Sequence, residues 1–482
     1  MALGGVGFEK TSISANAVAA TAAPSAIAAE PAGGPASFAD IVDRVKPAVV
    51  SVKVKLSNAD TSDDEDFQGM PDFPPNSPFY RFFRHFGLPG HGDGDSTPRR
   101  HSTMAQGSGF FITADGYIVT NNHVVDHASE VTITTADGKT MPAKVIGVDS
   151  KTDVALLKAQ GSDFPFVSFA SQPPRVGDWV IAVGNPFGLG GTVTAGIVSA
   201  RGRDIGSGPY DDFLQIDAPV NHGNSGGPTF NAEGEVVGVN TAIFSPSGGS
   251  VGIGFAISSD VVKNVVQQLR ENGVVTRGWI GVEIQPVTAD IADDLGLKSA
   301  SGALVAQAEK NSPAAAAGIK SGDVITAVDG QTVVDPHDLA RRIAALGPKK
   351  TATIALIRNG SPMAIDVTLG TMPADKTASA EMGSSGNGSA GSGVSSLATL
   401  GLTLRRGQDG VLVTDVDPDS AAAEKGLKEG DVILEVAGKS VARPSDVAEA
   451  IDAAKSDGKR SVLIRVKSDE GEHFVALPTR AS

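Results

Sequence analysis

The stretch GFFITADGYIVTNNHVV, residues 109–125, decides the fold of this chain. Two short apolar runs flank Asp115-Gly116, a dipeptide that favours a tight hairpin turn. More short apolar segments, separated by Gly and Asp turns, follow as far as Ile257: VTITTADGKTMPAKVIGVD, DVALLKA, DWVIAVG, TVTAGIVSA, EVVGVNTAI and GIGFAI. Strands at this spacing are typical of β-sandwiches and β-barrels rather than βαβ units. The sequence therefore predicts a mainly β region that ends in a helix over residues 258–272.

Four further segments precede this region. Residues 1–36 are rich in Ala, and Ala26-Ile27-Ala28 resembles a signal-peptide cleavage site, although a basic start and a long apolar stretch are missing. Either the true start has been trimmed or this segment is a disordered leader. Residues 37–45 predict a short helix and residues 49–54 a first strand. Residues 57–105 combine an acidic run, prolines and a Phe cluster, which predicts a long insertion loop.

The C-terminal part contains an internal repeat. Residues 301–330 match residues 409–438, with glycines and an aspartate at equivalent positions, and a helical pattern follows both copies. Repeats of this kind indicate two copies of one small α+β module, which we place at residues 274–370 and 399–482.

A Gly/Ser-rich segment, residues 371–398, separates the two copies. A flexible coil of that length has a root-mean-square reach of about 30 Å. We therefore expect the second copy to be tethered to the first rather than fused to it.

Composition excludes several classes of protein. A chain of 482 residues exceeds what one hydrophobic core usually serves, so several domains are expected. The net charge of −15 offers no basic stripe for a phosphate backbone, which argues against nucleic acid as a partner. The absence of cysteine excludes disulfides, thiolate metal sites and a thiol nucleophile. No apolar run reaches the roughly 18 residues of a membrane span, and we expect neither a transmembrane segment, a metal nor a cofactor.

The densest chemical signal is Gly223-Asn224-Ser225-Gly226-Gly227-Pro228. Glycines on both sides of a serine allow a sharp turn that leaves the hydroxyl unobstructed for nucleophilic attack. The amides of Gly223 and Ser225 could then point together at a developing oxyanion. A plain glycine-rich hairpin turn is the alternative interpretation.

The same string fits the nucleophile elbow of α/β-hydrolases, in which the acid and the histidine follow the serine. Only His337 and His473 follow it, and both lie in the repeated modules, so this reading is disfavoured. The upstream histidines are His85, His91, His101, His123, His127 and His222. Among them His123 ends the strand-like run 117–122, which would hold its imidazole on a rigid edge. A solvated or core histidine is the alternative.

A buried carboxylate should orient that imidazole. Asp153 opens the apolar run 154–157, where a strand enters a core, although an ordinary aspartate of a turn would look the same. The order His123, Asp153, Ser225 is that of the chymotrypsin type of serine protease.

Five motifs resemble the HtrA/DegP family of proteases: TNNHVV (120–125), TDVALLK (152–158), GNPFGLGGTVTAGIVSA (184–200), QIDAPVNHGNSGGP (215–228) and GVNTAI (238–243). The resemblance spans about residues 38–482. It implies a trypsin-like double β-barrel protease domain at residues 37–273, followed by two PDZ domains. The family's triad matches His123, Asp153 and Ser225. Two residues depart from the family pattern, His222 and Thr229.

The resemblance also implies roles for other residues. An oxyanion hole would be formed by the backbone of Gly223, Asn224 and Ser225. Val220 and Ile243 would line an uncharged specificity pocket, which predicts cleavage after small or medium aliphatic residues. The loops 201–212 and 245–251 would rearrange before the oxyanion hole forms, with Arg203 as a sensing residue.

In each PDZ domain a glycine between apolar residues precedes the strand that would accept a peptide. A terminal carboxylate would be held by backbone amides of this segment. The residues concerned are Trp279, Ile280, Gly281 and Val282 in the first domain and Leu400, Gly401 and Leu402 in the second. For the second domain, a purely structural role is the alternative.

The family further implies unfolded or misfolded proteins as substrates, chaperone activity, a periplasmic location and homo-oligomers that are trimers or multiples of trimers. An alternative of another class is a chaperone whose barrels no longer catalyse.

Overall fold

The computed structural model describes residue 1 and residues 37–56, 104–188, 190–221, 223–245, 249–373, 394–397, 400–469 and 471–479. Residues 2–36 of the predicted leader, most of the predicted insertion loop and His222 lie outside the described residues. Among the described residues, no helix is long and apolar enough to cross a lipid bilayer.

Six antiparallel strands close into a first barrel, in the order β1-β2-β3-β6-β5-β4. A helix, α1 (Ala39–Val45), precedes them, and a one-turn helix, α2 (Asn122–Val125), follows the third strand. The strands are β1 (Val49–Leu56), β2 (Met104–Phe111), β3 (Tyr117–Thr120), β4 (Ala128–Thr134), β5 (Thr140–Asp149) and β6 (Val154–Ala159). Alternate residues of β1, Val50, Val52 and Val54, are fully buried in the barrel core. Since β2 begins at Met104, the insertion loop predicted to reach residue 105 ends earlier.

A second closed barrel follows, in the order β10-β11-β12-β9-β8-β7. Its strands are β7 (Trp179–Gly184), β8 (Thr192–Arg203), β9 (Phe213–Ile216), β10 (Pro228–Phe230), β11 (Val236–Ile243) and β12 (Gly254–Ser258). The long helix α3 (Ser259–Asn272) packs its apolar face on both barrels and ends at Gly273, whose φ of 75° is left-handed. The predicted mainly β double barrel is confirmed.

The first module, described from Gly278 to Thr371, is an antiparallel sheet of order β14-β15-β16-β18-β19 with helices packed on it. Its elements are β13 (Gly278–Trp279), β14 (Val282–Pro286), α4 (Ala289–Asp294), β15 (Ala303–Ala308), α5 (Pro313–Ala317), β16 (Val324–Val328), β17 (Gln331–Thr332), α6 (Pro336–Leu346), β18 (Thr351–Arg358), β19 (Ser361–Thr368) and β20 (Gly370–Thr371). The short strands β13 and β20 pair with each other, so the ends of the module meet.

The second module, described from Val394 to Pro478, repeats this plan with the strand order β21-β22-β23-β24-β26-β27. Its elements are β21 (Val394–Leu397), β22 (Leu402–Arg406), β23 (Val411–Val416), α7 (Ala421–Glu424), β24 (Val432–Val436), β25 (Lys439–Ser440), α8 (Pro444–Ser456), β26 (Ser461–Ser468) and β27 (Gly471–Pro478). The predicted linker 371–398 is therefore too long at both ends, because Thr371 and residues 394–397 lie in strands.

The two modules pack against each other. The side chain of Phe474 on β27 enters an apolar cluster with residues of the first module, namely Val287, Ile291, Ala292, Leu304 and Val324. Beside it, the Gln285 side chain donates from Nε2 to the Phe474 carbonyl oxygen (3.0 Å) and accepts from the Phe474 amide through Oε1 (2.7 Å). The expectation of a merely tethered second module is wrong, because these apolar and polar contacts hold its edge strand on the first module.

The first module also contacts the barrels directly. Arg277, which lies just before β13, makes two hydrogen bonds to the carboxylate of Asp149 at the end of β5 (2.8 and 2.5 Å). Both side chains are nine-tenths or more buried, and the guanidinium lies 4.5 Å from the ring centre of Tyr210. Removing one partner of such a buried pair leaves an uncompensated charge and typically costs about 3–5 kcal/mol.

Candidate active site

The site begins with His123 and Asp153, which the first barrel brings together. Nδ1 of His123 lies 2.7 Å from Oδ2 of Asp153, and both side chains are almost fully buried. Oδ1 of the same carboxylate accepts a hydrogen bond from the backbone amide of His123 (2.9 Å). The two oxygens thus fix both the ring and the backbone of the histidine. His123 was expected at the end of a strand, but β3 ends at Thr120 and His123 lies in α2.

An unusual backbone conformation aims the carboxylate of Asp153. Its φ is 55°, in the left-handed region that costs a residue with a Cβ atom about 1 kcal/mol or more. The carbonyl oxygen of Asp153 accepts two hydrogen bonds, from the amide of Asn122 (3.1 Å) and from Nδ2 of Asn121 (2.9 Å). These contacts hold the strained residue immediately before β6, with its carboxylate facing His123.

Ser225 lies in the turn between β9 and β10 and is fully buried. Its Oγ donates to the carbonyl oxygen of Thr241 at 3.3 Å. Gly226 follows with φ 82°, and a Cβ atom there would lie 2.2 Å from the carbonyl oxygen of Ser108. The turn therefore requires glycine at this position, as its sequence suggested.

Strand β2 contacts both the residue next to His123 and the serine turn. A Cβ atom built on Gly107 would lie 2.7 Å from the side chain of Val124 and 3.1 Å from the carbonyl oxygen of Ser225. The amide of Ser108 also donates to that same carbonyl oxygen (2.8 Å). Strand β2 therefore lies between the residue next to His123 and the serine turn.

Sequence reasoning missed three residues that build this junction. Asn121 reaches from the first barrel to Thr241 in the second, with 3.0 Å between Nδ2 and Oγ1. Ser108 donates from Oγ to the carbonyl oxygen of Gly223 (2.5 Å) and accepts from the amide of Asn185 (2.8 Å). The available signal was weak: each is a polar residue in or next to a short strand, which also fits a position on the exposed face of a strand.

The residues expected to form the oxyanion hole lie in one turn. Gly223 has φ 93°, and a Cβ atom there would lie 2.5 Å from the side chain of Pro186. The amide of Asn224 donates to the carbonyl oxygen of Asn221 (3.0 Å). The amide of Asn224 is thus engaged within the turn itself.

Val220 and Ile243, expected to line the specificity pocket, are both fully buried in the apolar core of the second barrel. A Cβ atom on Gly254 would lie 3.2 Å from the side chain of Val220, so Val220 packs closely against the backbone of β12. In this conformation the two side chains face packed neighbours.

Arg203 ends β8 and donates from Nε to Oε1 of Gln215 (2.9 Å). The following loop contacts the first module, since Asp204 pairs with Nε2 of His337 at 2.9 Å. Burial raises the pKa of Asp211 in this loop, although hydrogen bonds from Ser207 partly oppose the shift. The predicted loop 201–212 is shorter than expected, because residues 201–203 belong to β8.

The two modules present their candidate peptide-binding strands differently. In the first module, β14 is an edge strand, and no other strand of the described residues pairs with its outer side. In the second module, β21 pairs antiparallel with the equivalent strand β22, from Leu397 opposite Leu402 to Val394 opposite Arg405. The chain itself thus covers the edge that a peptide would use there.

Two closed six-stranded barrels that hold a buried His–Asp pair and a buried serine between glycines define the class of trypsin-like serine endopeptidases. Family comparisons agree, since residues 107–239 match a trypsin-like peptidase domain, and residues 278–369 and 412–468 each match a PDZ domain.

Individual relatives extend the match over almost the whole chain. A protein of Rhizobium meliloti (strain 1021) named "Probable periplasmic serine endoprotease DegP-like" is 52% identical over 462 residues, which covers 92% of each chain. A protein of the same name from Brucella suis biovar 1 (strain 1330) is 53% identical, covering 92% of this chain and 90% of its own. The chain belongs to the family of DegP-like serine endoproteases.

A solved structure supports the same assignment. The "HtrA-type protease AlgW with decapeptide" is 37% identical, with a TM-score of 0.56, and the match covers 70% of this chain and all of that chain.

Proposed function

We propose that this serine endoprotease cleaves unfolded or misfolded proteins with His123, Asp153 and Ser225 as its catalytic triad. The observation that carries the proposal is the 2.7 Å contact between Nδ1 of His123 and Oδ2 of Asp153. A carboxylate in this place makes Nδ1 the donor, so that Nε2 is left to accept a proton. The same contact stabilises the imidazolium that forms when the proton arrives.

The reaction would proceed by acyl transfer. His123 takes the proton of the Ser225 hydroxyl as the oxygen attacks a peptide carbonyl, and then returns the proton to the leaving amine. Water repeats the two steps on the acyl-enzyme. Because the hydroxyl donates to the Thr241 carbonyl oxygen in this structure, it must first rotate towards the imidazole.

The amides of Gly223 and Ser225 are the proposed donors to the oxyanion. The amide of Asn224 is a weaker candidate, since it already donates to Asn221. Because Ser108 holds the carbonyl oxygen of Gly223, the first barrel helps to fix this turn. Preorganised donors of this kind act where charge develops in the transition state.

Cleavage after small or medium aliphatic residues is proposed from the apolar character of Val220 and Ile243. Since both side chains are fully buried, their neighbours must move to admit a substrate side chain. Loop rearrangement around residues 204–212, with Arg203 as the sensing residue, is the proposed source of that movement. A preference for cleavage after Lys or Arg would contradict the pocket assignment.

The modules are proposed to capture C-termini or exposed segments of substrates by strand addition. In the first module the open edge of β14, with residues 279–281 before it, supports this role. In the second module a peptide would have to displace β21 from β22.

We also propose a periplasmic location, consistent with the names of the relatives, and a chaperone-like assembly of trimers or multiples of trimers.

The test is hydrolysis of casein by the wild type, Ser225→Ala and the control Ser129→Ala, whose hydroxyl lies on the exposed side of β4. Loss of the nucleophile should lower the rate more than about 10⁴-fold, while the control keeps the wild-type rate. Light scattering on the same samples reports the assembly. Casein degradation by Ser225→Ala at an appreciable rate would rule out the proposed triad.

A further inference from the structure

Asn121 is a fully buried polar residue whose side chain the proposed reaction does not use. It stands at the start of α2 but does not cap that helix with its side chain. Instead Nδ2 donates twice, to the carbonyl oxygen of Asp153 (2.9 Å) and to Oγ1 of Thr241 (3.0 Å). One amide group therefore joins the two barrels beside the site.

Chemistry fixes the orientation of this amide. The carbonyl oxygen of Asp153 can only accept, so the atom of Asn121 that faces it must be the nitrogen. The hydroxyl of Thr241 donates to the carbonyl oxygen of Val239 (3.0 Å), which leaves its lone pairs to accept from Asn121. Each group in this chain of hydrogen bonds has one consistent role.

The side-chain amide of Asn121 would destabilise the fold if it served only to fill space. Oδ1 of Asn121 is buried and accepts no hydrogen bond from the part of the chain that the structure describes. A buried acceptor without a donor destabilises a fold by about 1–3 kcal/mol. An apolar side chain of similar size would avoid that cost, so the two donated bonds must matter beyond packing.

Both acceptors lie at points where the backbone is irregular. Asp153 has the left-handed conformation that aims its carboxylate at His123. Thr241 lies at a β-bulge, where the pairing of β11 with β12 shifts between Asn240 and Ala242. Its carbonyl oxygen is the one that accepts the hydroxyl of Ser225. Asn121 thus connects the acid's backbone to the segment that holds the nucleophile.

We propose that Asn121 is a positioning residue of the protease site. It fixes Asp153 and the part of β11 that accepts the Ser225 hydroxyl relative to each other across the barrel junction. The proposal rests on the triad put forward above. Without the amide, the Asp153 carbonyl oxygen keeps only the amide of Asn122, and the two barrels lose this contact. The distance between imidazole and hydroxyl then varies, which slows the acyl-transfer steps more than it weakens substrate binding.

The experiment compares kcat and KM for a peptide substrate in Asn121→Ala, Thr241→Val and the double variant. Thr134→Val is the matched control, because it removes a buried hydroxyl of the first barrel, which lies 3.3 Å from the hydroxyl of Thr140. We expect Asn121→Ala to lower kcat about 10- to 100-fold with KM within about twofold, and the control to keep the wild-type kcat.

Two further readouts separate positioning from general damage. The downfield proton resonance of the His123–Asp153 hydrogen bond should shift or broaden in Asn121→Ala and stay in place in the control. Since the Thr241 hydroxyl reaches the Asp153 backbone through Asn121, the double variant should be no slower than Asn121→Ala. Thr241→Ser, which keeps the hydroxyl, should retain activity within about twofold.

A kcat within about twofold of the wild type for Asn121→Ala overturns the proposal, and so do fully additive losses in the double variant. If Asn121→Ala does not fold, Thr241→Val decides. A lowered kcat in Thr241→Val, together with a kcat retained in Thr241→Ser, supports the proposed role of Asn121. A wild-type kcat in Thr241→Val overturns it. Activity retained by Ser225→Ala would instead mean that the triad itself is wrongly assigned.

Discussion

The two PDZ modules share one plan but expose different edges. Gly281 and Gly401 occupy the same place, with φ values of 70° and 66°, and each leads into the candidate peptide-binding strand. The residue four positions before each glycine has a different partner. Arg277 is bound to Asp149 of the first barrel, whereas Leu397 belongs to β21, which pairs with β22. Repeated sequence therefore does not imply repeated access: the first module is open where the second is covered.

The largest expected contrast comes from matched changes at the two glycines. A Cβ atom would lie 2.4 Å from Ser312 Cβ at Gly281 and 2.3 Å from Ser420 Cβ at Gly401, so Gly→Ala strains both loops similarly. Left-handed alanine and overpacking together should cost each module roughly 2–4 kcal/mol. We expect Gly281→Ala to weaken peptide binding to the protein more than about tenfold and Gly401→Ala less than about twofold, measured by calorimetry.

Equal losses of peptide affinity in the two variants would contradict the comparison, because they would mean that both edges bind peptide in the resting protein. Thermal unfolding of both variants provides the control for similar local damage.

A smaller effect is expected from opening the second module. Leu397 packs against the apolar core of that module, so Leu397→Asp should displace β21 from β22, whereas Leu397→Val should keep it in place. Titration of a C-terminal peptide into Leu397→Asp should then show an additional binding site. The second module of this variant should bind the peptide roughly three- to tenfold more tightly than the second module of the wild type. The Gly281→Ala background isolates this site.

Unchanged stoichiometry in Leu397→Asp, with β21 displaced as judged by hydrogen exchange, would show that the edge of β22 binds no peptide even when uncovered.

The smallest effect concerns how the modules hold each other as pH changes. Burial raises the pKa of Asp294 above its ordinary value of 3.8, and the neighbouring carboxylates Asp290 and Asp293 add to the shift, while Ser461 and Lys459 oppose it. The folded state therefore binds more protons than the unfolded state between the ordinary and the raised pKa, so stability falls as pH rises through that window. Asp294→Asn should remove this slope, a change of under about 1 kcal/mol detectable by unfolding at several pH values. An identical slope in the variant would assign the effect to another group.

Much of the fold could be predicted from the sequence, because its signals are local. Hairpin dipeptides such as Asp115-Gly116, period-2 apolar runs and the glycine after α3 each act within a few residues. The serine turn is equally local in sequence, and the order of the three catalytic candidates can be read along the chain without any structure. The family motifs then placed these residues together before any distance was known.

What could not be predicted depends on contacts between distant residues. Asn121 looks like any polar residue after a strand, and its two partners lie in β11 and before β6. Phe474 reads as an ordinary strand residue, although it joins the two modules. The strand at Val394–Leu397 lies inside the segment that the sequence predicts as linker, because its Ser-rich composition hides a pairing that β22 provides. Such features depend on surfaces that exist only after the modules have formed.

The buried pair of Arg277 and Asp149 has a mechanical consequence. Asp149 ends β5, and the tight turn that follows, in which Thr152 donates to the Asp149 carboxylate and the Asp153 amide to the Ser150 carbonyl oxygen, leads directly to the acid of the site. Any displacement of Arg277 with the first module would therefore act on one end of a single turn whose other end holds Asp153. The anchor of the first module and the proposed catalytic acid therefore lie at the two ends of one short, hydrogen-bonded turn.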